Sequence, residues 1–257
     1  MIKGLAIDMD GTVYKGMKVI PGATEFIKEL KKKGIPFRFV TNNSSKGRRH
    51  YYEKLKKLGF EVEMEDVLTS GIATLEYLRE KYPGKTVYPL GTESYVSEVK
   101  EYGIPIDEND PDIVLLSFDT TITYDKINKA YQFLMGRAEF IATHPDDLCP
   151  TEDGYDVDIG PFIMMFEHLT KKKATVVGKP NRLLLDMASS QMGIKSDEIA
   201  MVGDRLYTDM RMAWDNNIPS ILVLTGETTL DDLKDSDIKP TYILNSVTEI
   251  IGKVFES

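Results

Sequence analysis

Short apolar runs alternate with segments of helical spacing along most of the chain. Residues 5–9 read as a strand, and residues 21–33 as a helix with Pro21 in its first turn and Gly34 just past its end. Residues 37–41 form the next strand signal. The polar loop Asn42-Asn43-Ser44-Ser45 then precedes a helix that closes near Gly59. Residues 67–69 predict a short strand and residues 72–82 a helix. The rhythm returns later in the chain. Strands are predicted at 175–178, 199–203, 220–224 and 242–244, and helices at 181–192, from 204 to Asn217, and at 247–255. Val-, Ile- and Leu-rich strands that alternate with helices predict a parallel sheet covered on both faces. The expected fold class is therefore α/β, with a doubly wound, Rossmann-like core.

The stretch between the two halves carries a full set of elements of its own. Residues 86–90, 113–117 and 140–143 read as strands, with helices between and after them. About a hundred residues suffice for a second domain. The expected organisation is a core built from residues 1–80 and 175–257, with an α/β domain inserted over residues 81–174.

Composition narrows the partners. The 257 residues carry a net charge of −9, which disfavours nucleic-acid binding through a basic surface. The runs Lys31-Lys32-Lys33 and Lys171-Lys172-Lys173 suit solvated helix ends. Met210, Met212 and Trp214 on one helix, and Met164 and Met165 on another, read as packing residues. A single cysteine, Cys149, fits a reducing compartment. The three histidines, His50, His144 and His168, lack zinc-motif spacing. The first strand follows Met-Ile-Lys-Gly directly, without the pattern of a secretory leader. No apolar run approaches the ~18 residues of a membrane span. These features together predict a cytoplasmic protein with no membrane partner.

The chemistry gathers at predicted strand ends, where open α/β sheets bind their ligands. The first strand ends in Asp8-Met9-Asp10-Gly11-Thr12, whose two carboxylates share one face of the strand. Two such carboxylates repel, so a cation or a division of roles between them is needed. Thr41-Asn42, Gly178-Lys179 and Gly203-Asp204 end other strands. Three carboxylates, a lysine, a hydroxyl and an amide suit a divalent cation with a phosphate. Each residue also has an ordinary structural reading. Asp204 suits a helix N-cap, Asp209 an exposed helix position, Lys179 the surface, and Thr41 and Asn42 a turn.

In order along the chain, Asp8-Met9-Asp10-Gly11-Thr12, Val40-Thr41-Asn42-Asn43-Ser44, Gly178-Lys179-Pro180 and Gly203-Asp204-Arg205-Leu206-Tyr207-Thr208-Asp209 resemble the four motifs of the haloacid dehalogenase superfamily. The insertion between the second and third motifs resembles the C2-type cap of the class IIA, 4-nitrophenylphosphatase-like members. The resemblance implies a Mg²⁺-dependent phosphomonoesterase acting on a small phosphorylated metabolite, a sugar phosphate or nucleotide. It implies Asp8 as the nucleophile that forms an aspartyl-phosphate and Asp10 as the leaving-group acid. Asp8, Asp204 and the Asp10 backbone carbonyl would hold Mg²⁺. Thr41 and Asn42 would bind the phosphoryl group, Lys179 would neutralise it and restrain Asp8, and Asp209 would orient Lys179 or a metal-bound water.

In that family a cap loop, usually Asn-Pro-Asp, faces the active site. Here the loop reads His144-Pro145-Asp146, which makes His144 and Asp146 candidate substrate-binding residues; both also suit a simple turn. A homo-oligomer formed through the inserted domain is compatible with this reading. Three other readings stay open: a receiver whose aspartate takes phosphate without turnover, a two-domain solute-binding protein, and a phosphomutase.

Overall fold

The computed structural model describes residues 1–151 and 154–256. The chain forms two compact units: Met1–Thr41, Arg49–Leu68 and Lys179–Ser257 make the first, and Asn42–Arg48 and Thr69–Gly178 the second.

The first unit is built on a six-stranded sheet. Its order is Tyr242–Leu244, Ser220–Val223, Ile199–Gly203, Gly4–Ile7, Phe37–Thr41 and Val67–Thr69. Gly4–Ile7 lies in the middle and pairs in parallel with Ile199–Gly203 on one side and Phe37–Thr41 on the other. All four of its residues are buried, as a strand covered on both faces requires. Leu5, Ile7, Phe39, Val202 and Ile221 are fully buried in the same apolar cluster. Phe39 meets Phe37 and Phe60 edge to face, at centroid distances of 5.5 and 6.0 Å. The helix Ala23–Lys33 ends in three lysines and is closed by Gly34 at φ 66°, a backbone shape that favours glycine.

The second unit has its own parallel sheet, in the order Thr175–Val176, Glu139–Ala142, Ile113–Leu116, Val87–Leu90. Leu90, Val114, Leu116 and Phe140 share one buried apolar cluster with Phe166 of the helix Gly160–Thr170. Thr69, Thr92 and Thr123 each cap a helix by accepting a backbone N–H bond, from Ile72, Tyr95 and Lys126.

These bounds differ from a split at residues 81 and 174, for visible reasons. The helix Ser70–Lys81 packs with the second unit: the Tyr95 hydroxyl donates to the Gly71 carbonyl, and Tyr102 donates to Glu76. Thr175–Val176 belongs to the second sheet, because it pairs with Glu139–Ala142. Two hairpins carry no alternation that marks them in the sequence: Tyr14–Lys15 with Lys18–Val19, and Leu148–Thr151 with Gly154–Val157. The segments after Asp204 and Ile250 wind partly as π turns, at Leu206–Met210 and Ile251–Phe255. Met210 and Met212 are buried, but Trp214 and Met164 are largely exposed and are not core.

Phe39→Ala should lower stability by about 3–5 kcal/mol, through lost transfer energy and the cavity left behind. Urea unfolding checks this; a midpoint equal to that of the wild type would contradict the packing described.

Candidate active site

The central strand of the first unit ends where its backbone turns sharply. The Asp8 N–H still donates to Val202, at 2.8 Å. The Met9 carbonyl then receives Thr12, Val13 and Tyr14, and Gly11 donates to the Tyr14 carbonyl. Gly11 sits at φ 88°, and a Cβ there would lie 2.3 Å from the Asp204 carboxylate. Both conditions demand glycine.

Asp8, Asp204 and Asp209 meet at this point. All three are buried, and their carboxylate oxygens lie within 4.8 Å of one another. Lys179, itself buried, spans two of them: its ammonium donates to Asp8 Oδ1 at 2.5 Å and to Asp209 Oδ1 at 2.7 Å. Asp204 receives the Glu227 backbone N–H at 2.7 Å and the Thr12 hydroxyl at 3.4 Å. Gly226 allows that approach, since a Cβ there would lie 1.9 Å from Asp204 Oδ2. Arg205 adds a second cation, paired to Glu227 at 3.3 Å.

Three carboxylates thus lie with Lys179 and with an Arg205 that is already paired to Glu227. Burial pushes Asp8 up to about 7, against the pull of Lys179 and with the push of Asp209 and Asp204. Burial pushes Asp204 up to about 6, with Asp209 adding to the effect. Burial alone would depress Lys179, but Asp209 and Asp8 outweigh it and hold the ammonium well above its ordinary value. The cluster has the charge and the oxygen donors that suit a hard divalent cation.

Asp10 stands apart from this cluster. Its side chain is half exposed, and Lys54 lies 4.0 Å from its carboxylate. Thr41 is half-buried at the end of Phe37–Thr41.

The other predicted residues fall in the second unit. Asn42 Nδ2 donates to both oxygens of Asp146, at 3.0 and 3.1 Å. His144 is fully buried. Its Nε2 lies 2.9 Å from Asp158 Oδ1, and its Nδ1 lies 2.9 Å from the Thr143 hydroxyl and 3.5 Å from those of Ser44 and Ser70. Asp158 also receives the Ile159 N–H at 2.7 Å. The side chain that replaces asparagine in the cap loop is thus an internal strut, with both ring nitrogens occupied.

Sequence reasoning left Thr12, Arg205 and Gly226 without roles, and Lys54 out of account. Thr12 and Arg205 lie inside the quoted motifs. Gly226 follows the apolar run at 220–224, another strand end that the same rule would have flagged.

A haloacid dehalogenase-like hydrolase family matches residues 5–105, and a second HAD-like hydrolase family matches residues 176–250. An acid sugar phosphatase of Staphylococcus aureus is 34% identical over 253 residues, 98% of each chain. Among solved structures, a 4-nitrophenylphosphatase from Thermotoga maritima is 40% identical with a TM-score of 0.94, over 98% of this chain and 97% of its own. A p-nitrophenyl phosphatase from Archaeoglobus fulgidus is 30% identical with a TM-score of 0.93, over 98% and 99%. The chain belongs to the haloacid dehalogenase-like hydrolases, in their class IIA group. It is an enzyme, a phosphatase of that family.

The raised Asp8 and Asp204 values set a pH dependence of stability. Without a divalent cation, the folded state keeps these protons up to about 7 and about 6, whereas the unfolded chain releases them near ~3.9. Between those limits the folded state binds more protons, so stability falls as pH rises through the window. In EDTA the thermal midpoint should therefore drop from pH 5 to pH 7.5, and Asp204→Asn should flatten that slope. Equal slopes in the two proteins would refute the upward shift of Asp204.

Proposed function

We propose that this phosphatase hydrolyses small phosphorylated metabolites, sugar phosphates foremost, through an aspartyl-phosphate on Asp8. The observation that carries this reading is the buried Lys179 ammonium shared by Asp8 and Asp209. It holds one Asp8 oxygen and places positive charge where an anionic substrate must approach an anionic nucleophile. The acid sugar phosphatase relative supports the substrate class.

Asp8 attacks phosphorus in line, and the bond to the alcohol oxygen breaks. Asp10, the exposed carboxyl, gives its proton to that oxygen. It then takes a proton from the water that attacks the acyl phosphate, which releases phosphate and restores Asp8. Lys179 and the hydroxyl of Thr41 stabilise the phosphoryl oxygens. In the structure the Asn42 amide is engaged with Asp146, so binding phosphate through it requires that contact to be exchanged.

Mg²⁺ fits the donors present. Gly11 and Gly226 leave Asp204 a cradle that a Cβ at either position would fill, and the carboxylates outnumber the cations. Asp8, Asp204 and the Asp10 carbonyl would hold the ion. Its contribution when bound is to neutralise phosphoryl charge and orient the group.

The residues 42–48 and 69–178 act in this reading as the inserted cap and select the substrate through Asp146, with His144 setting the shape of its loop. The enzyme works in the cytoplasm on small molecules, without nucleic-acid or membrane partners. Among the described residues, no helix is long and apolar enough to cross a membrane.

A phosphate-release screen over sugar phosphates, nucleotides and cofactor phosphates with Mg²⁺ tests the reading. Asp8→Asn should lower turnover by about 10³-fold or more while the protein stays folded. Near-normal turnover in that variant would remove Asp8 as nucleophile, and isomerised product without free phosphate would indicate a mutase.

His144→Ala and Asp146→Ala should change the ranking of substrates by kcat/KM more than the Mg²⁺ requirement. An unchanged ranking would take the 143–146 loop out of substrate selection.

A further inference from the structure

The helix Arg48–Lys57 is rich in cations, and two of them, Arg48 and Lys54, are drawn in from solvent. Arg49, Lys56 and Lys57 are exposed, as expected of a solvated face. Lys54 is drawn inward, with its side chain only 19% exposed. Helical spacing explains why: Tyr51 and Leu55 are the buried positions of this helix, and Lys54 lies three residues after one and directly before the other.

The Lys54 ammonium meets two partners from a single turn. It lies 4.1 Å from the centroid of the Tyr14 ring, over its face. It also lies 4.0 Å from Asp10 Oδ2. Tyr14 is almost wholly buried, and burial keeps its phenol protonated and neutral, so the ring is a fixed apolar platform. Tyr14 is tied to the Asp10 turn by a backbone bridge between the two residues and by the Gly11 N–H bond to its carbonyl, at 2.7 Å. The Lys54 ammonium therefore meets a ring and a carboxylate that belong to one short stretch of backbone.

The geometry points to Lys54 as a positioning residue that fixes the carboxyl of Asp10 for proton delivery to the leaving group. This rests on the reading of Asp10 as the leaving-group acid. Asp10 has little else to define it, because half of its side chain faces solvent and it lies outside the Asp8–Asp204–Asp209 cluster. A side chain so exposed samples several rotamers unless a partner selects one. Lys54 acts through Asp10 and bears neither on Asp8 nor on the buried lysine. Its loss should thus matter in proportion to how much the leaving group needs a proton.

Leaving-group chemistry supplies the test. The nitrophenolate of 4-nitrophenyl phosphate departs with little help, whereas the alkoxide of a sugar or glycerol phosphate needs protonation. Lys54→Gln should lower kcat for the alkyl phosphate by about 10- to 100-fold, part of the ~10²–10⁴ that a general acid supplies. It should lower kcat for 4-nitrophenyl phosphate several-fold less. Lys54→Arg, which keeps the cation, should recover most of the loss and guards against a folding artefact. In an Asp10→Asn background, Lys54→Gln should add no further loss on the alkyl phosphate. Equal losses on the two substrates, or additive effects in the double variant, would overturn the assignment of Lys54 and leave the Asp10 reading intact. If Asp10→Asn alone spares the alkyl phosphate, the acid reading itself falls, and the role of Lys54 with it.

Discussion

A single buried ammonium organises the first unit's chemistry. Lys179 is held between Asp8 and Asp209, and both contacts are short. Removing such a group from water is costly unless its hydrogen bonds are made and its charge is met. Here the charge is more than met, since Asp204 adds a third buried carboxylate and Arg205 a second cation. Burial raises Asp8 and Asp204 above the ordinary carboxylate range, and the neighbouring carboxylates add to it. A structure selected for stability alone would not keep such an excess. Such an excess suits a site that would receive a divalent cation, because the cation would enter a place lacking positive charge.

The sheet is what makes this cluster buildable. Gly4–Ile7 lies between two parallel neighbours, so its C-terminal end opens beside the end of Ile199–Gly203. That register brings Asp8 next to Val202 and sets Asp204 one residue past a strand end. Fully buried apolar strands such as Ser220–Val223 fix the frame, and the polar work is left to the residues just beyond them. The glycines at 11 and 226 are needed for the same reason: carboxylates packed this closely leave no room for a Cβ.

Much of this was legible in the chain. Strands at Phe37–Thr41, Val67–Thr69, Ile199–Gly203 and Tyr242–Leu244 stand where apolar runs mark them, and Val67–Thr69 and Ile199–Gly203 are continuous in hydrophobicity because they are buried throughout. The gathering of Asp8, Lys179, Asp204 and Asp209 could be foreseen, since strand ends of one sheet converge. Other features were hidden for physical reasons. Hairpins of two to four residues bury too little to leave a pattern. Lys54 and His144 look in sequence like an exposed helix cation and an open loop residue, and only the surrounding fold shows one drawn onto Tyr14 and the other sealed against Asp158. Side-chain direction in a crowded loop follows from its neighbours, which local sequence does not specify.

The course of the chain gives the Gly178-Lys179 pair a double constraint. Gly178 is the last residue of the second unit and Lys179 the first to rejoin the first. A Cβ at Gly178 would lie 2.6 Å from the Thr143 carbonyl, 2.7 Å from Asn42 Oδ1 and 2.9 Å from His144 Cβ, all within its own unit. Lys179 is pinned one residue later by Asp8 and Asp209. The passage from Thr41 to Asn42 is similar, because the chain leaves the first unit at Thr41 and Asn42 is at once bound to Asp146. Two of the motifs are therefore also the points where the chain changes units. The dipeptide Gly178-Lys179 answers to packing on one side and to charge on the other, and that leaves it few alternatives.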